Sequence, residues 1–410
     1  MLRWIFLIAF VVLVELYAFQ ALKTLTKAKW ILYPYQLISL AVIIYIIYSF
    51  TQFDRSVGQT RQTLITMGLL LLTFLPKLVA GLFLFSEDIY RVFSGAISYF
   101  VGNSNNGAFL PDRRKFVSQI ALGAASVPFL SLLYGMTIGK YNYKVFRQTL
   151  FFSDLPGSFD GMTITQISDV HSGSLDNPEK IQYAIDLINE QNSDIVLFTG
   201  DIVNTHATEM HPWIETFKKI HSPKLGKYSV LGNHDYGEYV SWPSAREKDE
   251  NFKAIKELHR QIDFKLLLNE NIKISSGSDE IALVGVENWG HNFKKAGDLT
   301  KATEGLDDSD FKILMSHDPS HWEYEIKNHP VKYHLTLSGH THGLQFGIEI
   351  PGIFKWSPVQ YVYNQWAGLY ENLGRYIYVN RGFGFHAYPG RVGIMPEITV
   401  LTLKKAEKIA

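Results

Sequence analysis

The chain opens with four apolar stretches, at residues 4–22, 31–50, 64–85 and 116–139. Each is close to the roughly 20 residues that a helix needs to cross a bilayer. The pattern therefore predicts an N-terminal bundle of about four transmembrane helices. Glu15 interrupts the first stretch and Pro76-Lys77 the third. The spans show no other polar partner, so both charges read as tolerated polar contacts rather than an ion pathway. Arg3 and the apolar run behind it would suit a signal peptide, but Glu15 and the lack of a small-x-small exit argue against cleavage.

From about residue 143 the period shortens. Residues 162–168, 194–199, 227–231, 281–286, 311–316 and 333–338 read as short strands. Residues 178–190 read as an amphipathic helix, with Ile181, Ile185 and Ile188 on one face and Pro178 at its start. A second, charged helix is predicted over 243–261. Strands alternating with helices predict a layered α/β fold. The strongest loop candidates are 287–310 and 343–374. The chain thus divides into a membrane anchor, 1–145, and a globular domain, 146–410.

Charge sharpens that division. The 39 Lys and Arg cancel 39 Asp and Glu. Yet residues 1–145 hold 13 basic and 5 acidic side chains, a balance of +8, and the remainder balances at −8. All 14 histidines fall after residue 145. An acidic domain argues against nucleic acid as the partner. Lys23, Lys27 and Lys29 lie between the first two spans, and Arg91, Arg113, Arg114 and Lys115 between the last two. The positive-inside rule puts the 23–30 and 86–115 loops in the cytoplasm and the domain on the extracytoplasmic face, although Lys140, Lys144 and Arg147 pull the other way. Arg113-Arg114-Lys115 reads either as a twin-arginine export signal or as an ordinary basic helix flank, and both give this orientation. With no cysteine in the chain, disulfides, thiolate-bound metals, iron–sulfur clusters and cysteine nucleophiles are excluded.

Five predicted strands end in polar clusters: Asp169-Val170-His171, Gly200-Asp201, Gly232-Asn233-His234-Asp235, His317-Asp318 and Gly339-His340-Thr341-His342-Gly343. In open α/β sheets, ligands bind beyond the carboxyl ends of the strands. Extended chain would place residues i and i+2 on one side, so Asp169 with His171, and His340 with His342, would each face a common site. Two carboxylates, an amide and several imidazoles exceed what one cation accepts. Two divalent ions sharing a carboxylate would use them all, with Mn, Fe or Zn better suited than Mg. Such a pair activates water for in-line displacement at phosphorus.

In this order the five motifs resemble the calcineurin-like metallophosphoesterase superfamily, over roughly residues 146–405. The resemblance implies a four-layer α/β/β/α sandwich. It implies that Asp169, His171, Asp201 and His342 hold a first metal and that Asp201, Asn233, His317 and His340 hold a second, with Asp201 bridging. It gives His234 the substrate phosphate and the leaving oxygen, with Asp235 as its orienter. A narrower likeness is to membrane-anchored bacterial members, including UDP-2,3-diacylglucosamine hydrolases. It rests on Gly368-Leu369-Tyr370, the run 378–384 and Pro396-Glu397-Ile398. Leu344 before Gln345 departs from that pattern.

His206, His211, His221, His259, His291, His321, His329, His334 and His386 match no motif and read as structural. The aromatics Trp356, Tyr361, Tyr363, Trp366 and Phe385 read either as a rim for a lipid-bearing substrate or as ordinary packing. Arg381 and Arg391 read as phosphate ligands or as ion-pair partners. The expectation is a multi-pass protein of the bacterial cell membrane. Its domain would hydrolyse phosphoester or pyrophosphate bonds of a phosphorylated small molecule or lipid-linked substrate by attack of a metal-bridged hydroxide. The competing expectation is a non-catalytic membrane sensor or transport protein whose domain only binds metal or phosphate.

Overall fold

A computed structural model of the chain describes residues 2–100, 111–350 and 352–406. The chain divides into two compact units, one of residues 1–53 and 65–136 and one of residues 54–64 and 137–410.

The first unit is built from α1 (Leu2–Leu25), α2 (Lys29–Thr51), α3 (Arg61–Phe100) and α4 (Pro111–Thr137). Among the described residues these four helices are long and apolar enough to cross a membrane. Ala21, Ala80, Ala121 and Ala125 pack with Leu84 in its core; small side chains let membrane helices approach closely. Two expectations change. Residues 86–100, predicted as loop, continue α3, while 101–110 lie outside the described residues. The acidic pair Glu87 and Asp88 within this extension is neutralised: Arg114 bonds to Glu87 and, at 2.8 Å, to Asp88. Glu15 and Lys77 also prove to be each other's partner, with Ser39 bonded to Lys77 Nζ (2.7 Å) and to Glu15 (2.8 Å).

The second unit carries the strands β1 (Lys144–Phe152), β2 (Thr163–Ile167), β3 (Ile195–Phe198), β4 (Lys227–Ser229), β5 (Lys265–Leu266), β6 (Glu270–Ser276), β7 (Asp279–Gly285), β8 (Lys312–Met315), β9 (Leu335–Ser338), β10 (Ile348–Ile350), β11 (Phe354–Trp356), β12 (Gly368–Asn372), β13 (Arg375–Val379) and β14 (Glu397–Lys405). Its helices are α5 (Pro178–Glu190), α6 (Ile214–Phe217), α7 (Ala245–Gln261), α8 (Leu299–Ala302) and α9 (Ser320–Tyr324). The described strands form two six-stranded sheets, ordered β1-β14-β2-β3-β4-β5 and β12-β13-β9-β8-β7-β6, and a separate β10-β11 hairpin. Residues 343–374, predicted as loop, therefore hold that hairpin and β12.

Alternation along β3 explains the layering. Ile195 and Leu197 pack against Ile313, Leu335 and Leu337 of the other sheet. Val196 and Phe198 point the opposite way, against Ile181, Ile185 and Ile188 of α5. Beyond the second sheet, Trp322 of α9 packs on Val284 and Leu314. The result is an α/β/β/α sandwich, so both faces of both sheets are buried. α5 begins where its sequence says: Pro178 occupies the first turn and Asn177 accepts the Lys180 amide. Strands β2, β3 and β4 run parallel in one sheet, β8 and β9 in the other. These are the strands whose carboxyl ends carry the polar clusters.

His259 on α7 is fully buried against Phe198, and neither ring nitrogen has a hydrogen-bond partner. Burial pushes it down to about 3. The folded state therefore binds fewer protons than the unfolded chain between about pH 6.5 and pH 3, and stability falls as pH drops through that window. The effect of one such group approaches about 1.4 kcal/mol per pH unit. His259→Leu is expected to narrow the fall in unfolding midpoint between pH 7.5 and pH 5; a fall as steep as in the wild type would refute it.

Candidate metal centre

The polar clusters converge from both sheets on one buried point. His171 Nε2 lies 3.0 Å from His342 Nε2, and His342 Nε2 lies 3.2 Å from Asp169 Oδ1. The ligand atoms of Asp169, His171 and His342 all fall within 4.8 Å of one another, as do those of Asp201, His317 and His340. Donors held at 2.0–2.2 Å from one cation are themselves about 3.0–3.5 Å apart. Asp201 Oδ2 stands between the groups, 3.6 Å from His171 Nε2 and 3.1 Å from His317 Nε2. Asn233 Oδ1 is 2.7 Å from His340 Nδ1. The mixed imidazole, carboxylate and amide donors fit a divalent transition metal.

Electrostatics point the same way. Burial pulls the His317 imidazole down, but Asp201 and Asp169 outweigh it and push it up to about 10. Burial pushes Asp201 up, yet the surrounding imidazoles, His317 foremost, hold it well below the usual carboxylate range. Burial, then His342, keeps His171 well below the ordinary imidazole value. The site thus sets an imidazole held neutral at His171 and an imidazolium at His317 around carboxylates that demand a positive charge.

The backbone reaches this arrangement differently from the extended pairs expected. Asp169, His171, Asp201, His340 and His342 all adopt positive φ, between 45° and 72°. Each such residue costs about 1–3 kcal/mol, and strain of this kind clusters at functional sites. Tight turns, rather than strand alternation, bring i and i+2 to one point. Glycine is required beside them. A Cβ at position 339 would lie 2.0 Å from Ser168 Oγ and 2.3 Å from Asp169 Oδ2; one at 232 would lie 2.2 Å from Asp201 Oδ1.

Asp235 does not touch the His234 ring. Its fully buried carboxylate accepts the amides of Gly232 (2.8 Å), Asp201 (3.0 Å) and Ile202 (3.0 Å), tying two ligand loops together. Burial and the nearby Asp201 push it up to about 7. The group that orients His234 is the Asn204 carbonyl, 2.8 Å from Nδ1. Arg381 and Arg391 are also otherwise engaged. Arg381 pairs with Glu397 and Glu349, each at 2.6 Å, and buried Arg391 donates to the carbonyls of Arg381, Gly382 and Gly384. Both arginines hold the 380–391 loop rather than a phosphate.

Four contributors carried no motif. Asn204 Oδ1 bonds His171 Nδ1 at 3.0 Å. Tyr363 OH meets His340 Nε2 at 2.8 Å, and Tyr239 OH accepts from Asn233 Nδ2 at 2.6 Å. His386, read as structural, packs its ring 4.5 Å from that of His234 and 4.9 Å from that of His171. Trp366 and Phe385, by contrast, are core residues.

A sandwich of this topology, with such a donor cluster where two sheets meet, defines a metal-dependent phosphoesterase. Residues 162–344 match the family model for the calcineurin-like phosphoesterase, and residues 2–140 match the transmembrane domain of a probable calcineurin-like phosphoesterase. The chain is 32% identical over 298 residues to the uncharacterized metallophosphoesterase YkuE of Bacillus subtilis strain 168, covering 71% of this chain and 97% of that one. It is 26% identical over 311 residues to a Danio rerio transmembrane protein with a metallophosphoesterase domain, covering 73% and 68% respectively. Among solved structures, a Thermus thermophilus 5′-nucleotidase precursor superposes with a TM-score of 0.35 at 11% identity, over 59% of this chain and 54% of that one. The chain belongs to the calcineurin-like metallophosphoesterase family; it is a membrane protein and a metal-dependent phosphoester hydrolase.

The two neighbours His234 and Asp235 should separate cleanly. Asp235→Ala strands three buried amides, each worth about 1–3 kcal/mol, and is expected to lower the unfolding midpoint markedly. His234→Ala is expected to cut kcat at least about 100-fold with little change in midpoint. Equal effects on both readouts would contradict these assignments.

Proposed function

We propose that the protein is a multi-pass membrane phosphohydrolase that uses two divalent cations and acts on a phosphoester or pyrophosphate carried by a lipid. The observation that carries the two-ion reading is Asp201 Oδ2, which faces His171 of one donor group and His317 of the other. In this reading Asp169, His171, Asp201 and His342 hold one ion, and Asp201, Asn233, His317 and His340 hold the other. When bound, such a pair supplies an activated water and positive charge facing the phosphoryl oxygens.

The chain's own side chains do the rest. The His234 Nδ1–H donated to the Asn204 carbonyl fixes the ring and leaves Nε2 to exchange a proton with the leaving oxygen. Tyr239 and His386 pack against that ring and limit its rotation. Tyr363 on His340 Nε2 fixes the other nitrogen of that ligand, as partners of metal-bound histidines do. Asp235 keeps the Asp201 and Asn233 loops in register.

The lipid part of the reading rests on the β10-β11 hairpin. Ile348, Ile350, Ile353 and Phe354 are all exposed, Ile353 at 81%, and Tyr361 and Val362 beyond it at 78% and 74%. Several exposed apolar side chains gathered in one segment mark a surface that meets lipid or protein. This one is bracketed by His342 and by Tyr363, both in the site. Positive charge in the 23–30 segment supports an extracytoplasmic catalytic unit in the bacterial cell membrane.

The full-length protein with Mn²⁺ is expected to hydrolyse a generic aryl phosphodiester, and Asp201→Asn to abolish turnover; activity retained in that variant would rule out the shared carboxylate. Against lipid-linked and soluble phosphoesters of matched leaving group, the paired change Ile353→Asp and Phe354→Asp should raise KM for the lipid-linked substrate alone. Equal kinetics on both substrates in the wild type would overturn the lipid assignment.

A further inference from the structure

The segment between α2 and α3, residues 54–64, belongs to the catalytic unit although it lies between two membrane-spanning helices in sequence. Its fold is specified locally. Asp54 Oδ1 accepts the Ser56 amide at 2.7 Å, Gly58 takes a left-handed φ of 73°, and Thr60 and Thr63 bond each other's amides. It is also specified by contact. A Cβ at Gly58 would lie 2.8 Å from Val240, Ser241 donates its amide to the Arg55 carbonyl at 3.0 Å, and Leu64 enters the core beside α5 and α7.

At the centre of this segment sits Gln59, and both ends of its amide are committed. Its Nε2 donates to Ser174 Oγ at 2.9 Å, and its Oε1 accepts the Ala387 amide at 2.7 Å. Ser174 Oγ in turn accepts from Asn204 Nδ2 at 3.1 Å, and Asn204 Oδ1 meets His171 Nδ1 at 3.0 Å. Three hydrogen bonds therefore run from Gln59 to a donor of the metal centre. The second arm holds Ala387, itself left-handed at φ 60°, next to His386. A neutral amide donates through its nitrogen and accepts through its oxygen at once.

We propose that Gln59 is a positioning residue of the metal centre, so that the loop joining two membrane helices completes the catalytic unit. The proposal rests on the metal-site reading given above, in which His171 is a ligand. Partners that orient a ligating histidine are typically worth 10–100-fold in metal affinity. Asn204, in direct contact, should lie in that range, and Gln59, two links further out through Ser174, near its lower end. A fragment beginning at residue 146 would lack the loop and bind metal as weakly as the Gln59 variant or worse.

The test uses the full chain in detergent, stripped of metal and titrated with Mn²⁺ alone, with binding read by calorimetry. Gln59→Ala is expected to weaken Mn²⁺ binding about 10-fold, and Ser174→Ala, which breaks the same link from the other side, to do likewise. Val57→Ser, an exposed change in the same loop, should leave it unchanged. In an Asn204→Ala background, Gln59→Ala should add much less than it does alone, because both act through His171. Wild-type affinity in Gln59→Ala, or a full and additive loss in the double variant, would overturn the proposal. Mn²⁺ binding without phosphoester turnover in the wild type would sink the proposed function and leave this inference standing. Turnover with unaffected Mn²⁺ binding in Gln59→Ala would do the reverse.

Discussion

A carboxylate with almost no exposure to water is stable as an anion only if positive charge faces it, since the desolvation penalty is several kcal/mol. Asp169 and Asp201 are both in that position, and both are ringed by imidazoles. The rest of the catalytic unit can be understood as a means of holding these two anions within reach of five histidines. Two sheets must present their carboxyl ends at one place. The turns that follow must bend sharply enough to aim successive side chains inward. The backbone amides exposed by those turns need acceptors, which Asp235 and Glu209 supply: Glu209 takes the amides of Asn204, Thr205 and His206.

Strain and its compensation are therefore local to one another. Five residues of the centre sit at positive φ, each an unfavourable choice for a residue with a Cβ. What holds them is a set of buried hydrogen bonds that fixes the loops from behind. Asp169 accepts the His340 amide with both oxygens, each at 3.0 Å, so that one residue of the cluster positions the backbone of another across the two sheets. Arg391 does the same for the 380–391 loop through three carbonyls. These side chains have no direct chemical part, yet the geometry of the donors depends on them.

The membrane unit follows a different rule. Its interior is lined by alanines, and the two ionisable groups that break its apolar spans meet each other. In hydrocarbon an unpaired charge is expensive, so Glu15 and Lys77 are tolerable as a pair where neither would be alone. Read one span at a time, each had seemed unpartnered.

The spans, the layered fold class and the donor set were all legible in the chain. Hydrophobic period and residue type are properties of neighbouring positions, and five Asp, Asn and His clusters after five strands leave few chemical alternatives. Three matters were beyond it. The left-handed turns and the contacts made by Asp235, Arg381 and Arg391 depend on residues distant in the chain. His386, Asn204 and Tyr363 lie 33 or more residues from the donors they serve in two of three cases, with no motif to mark them. The placement of Gln59, 115 residues from Ser174 and 328 from Ala387, is set by how the chain returns on itself. Local sequence decides which side chains want a cation; only the tertiary structure decides which of them can face the same one.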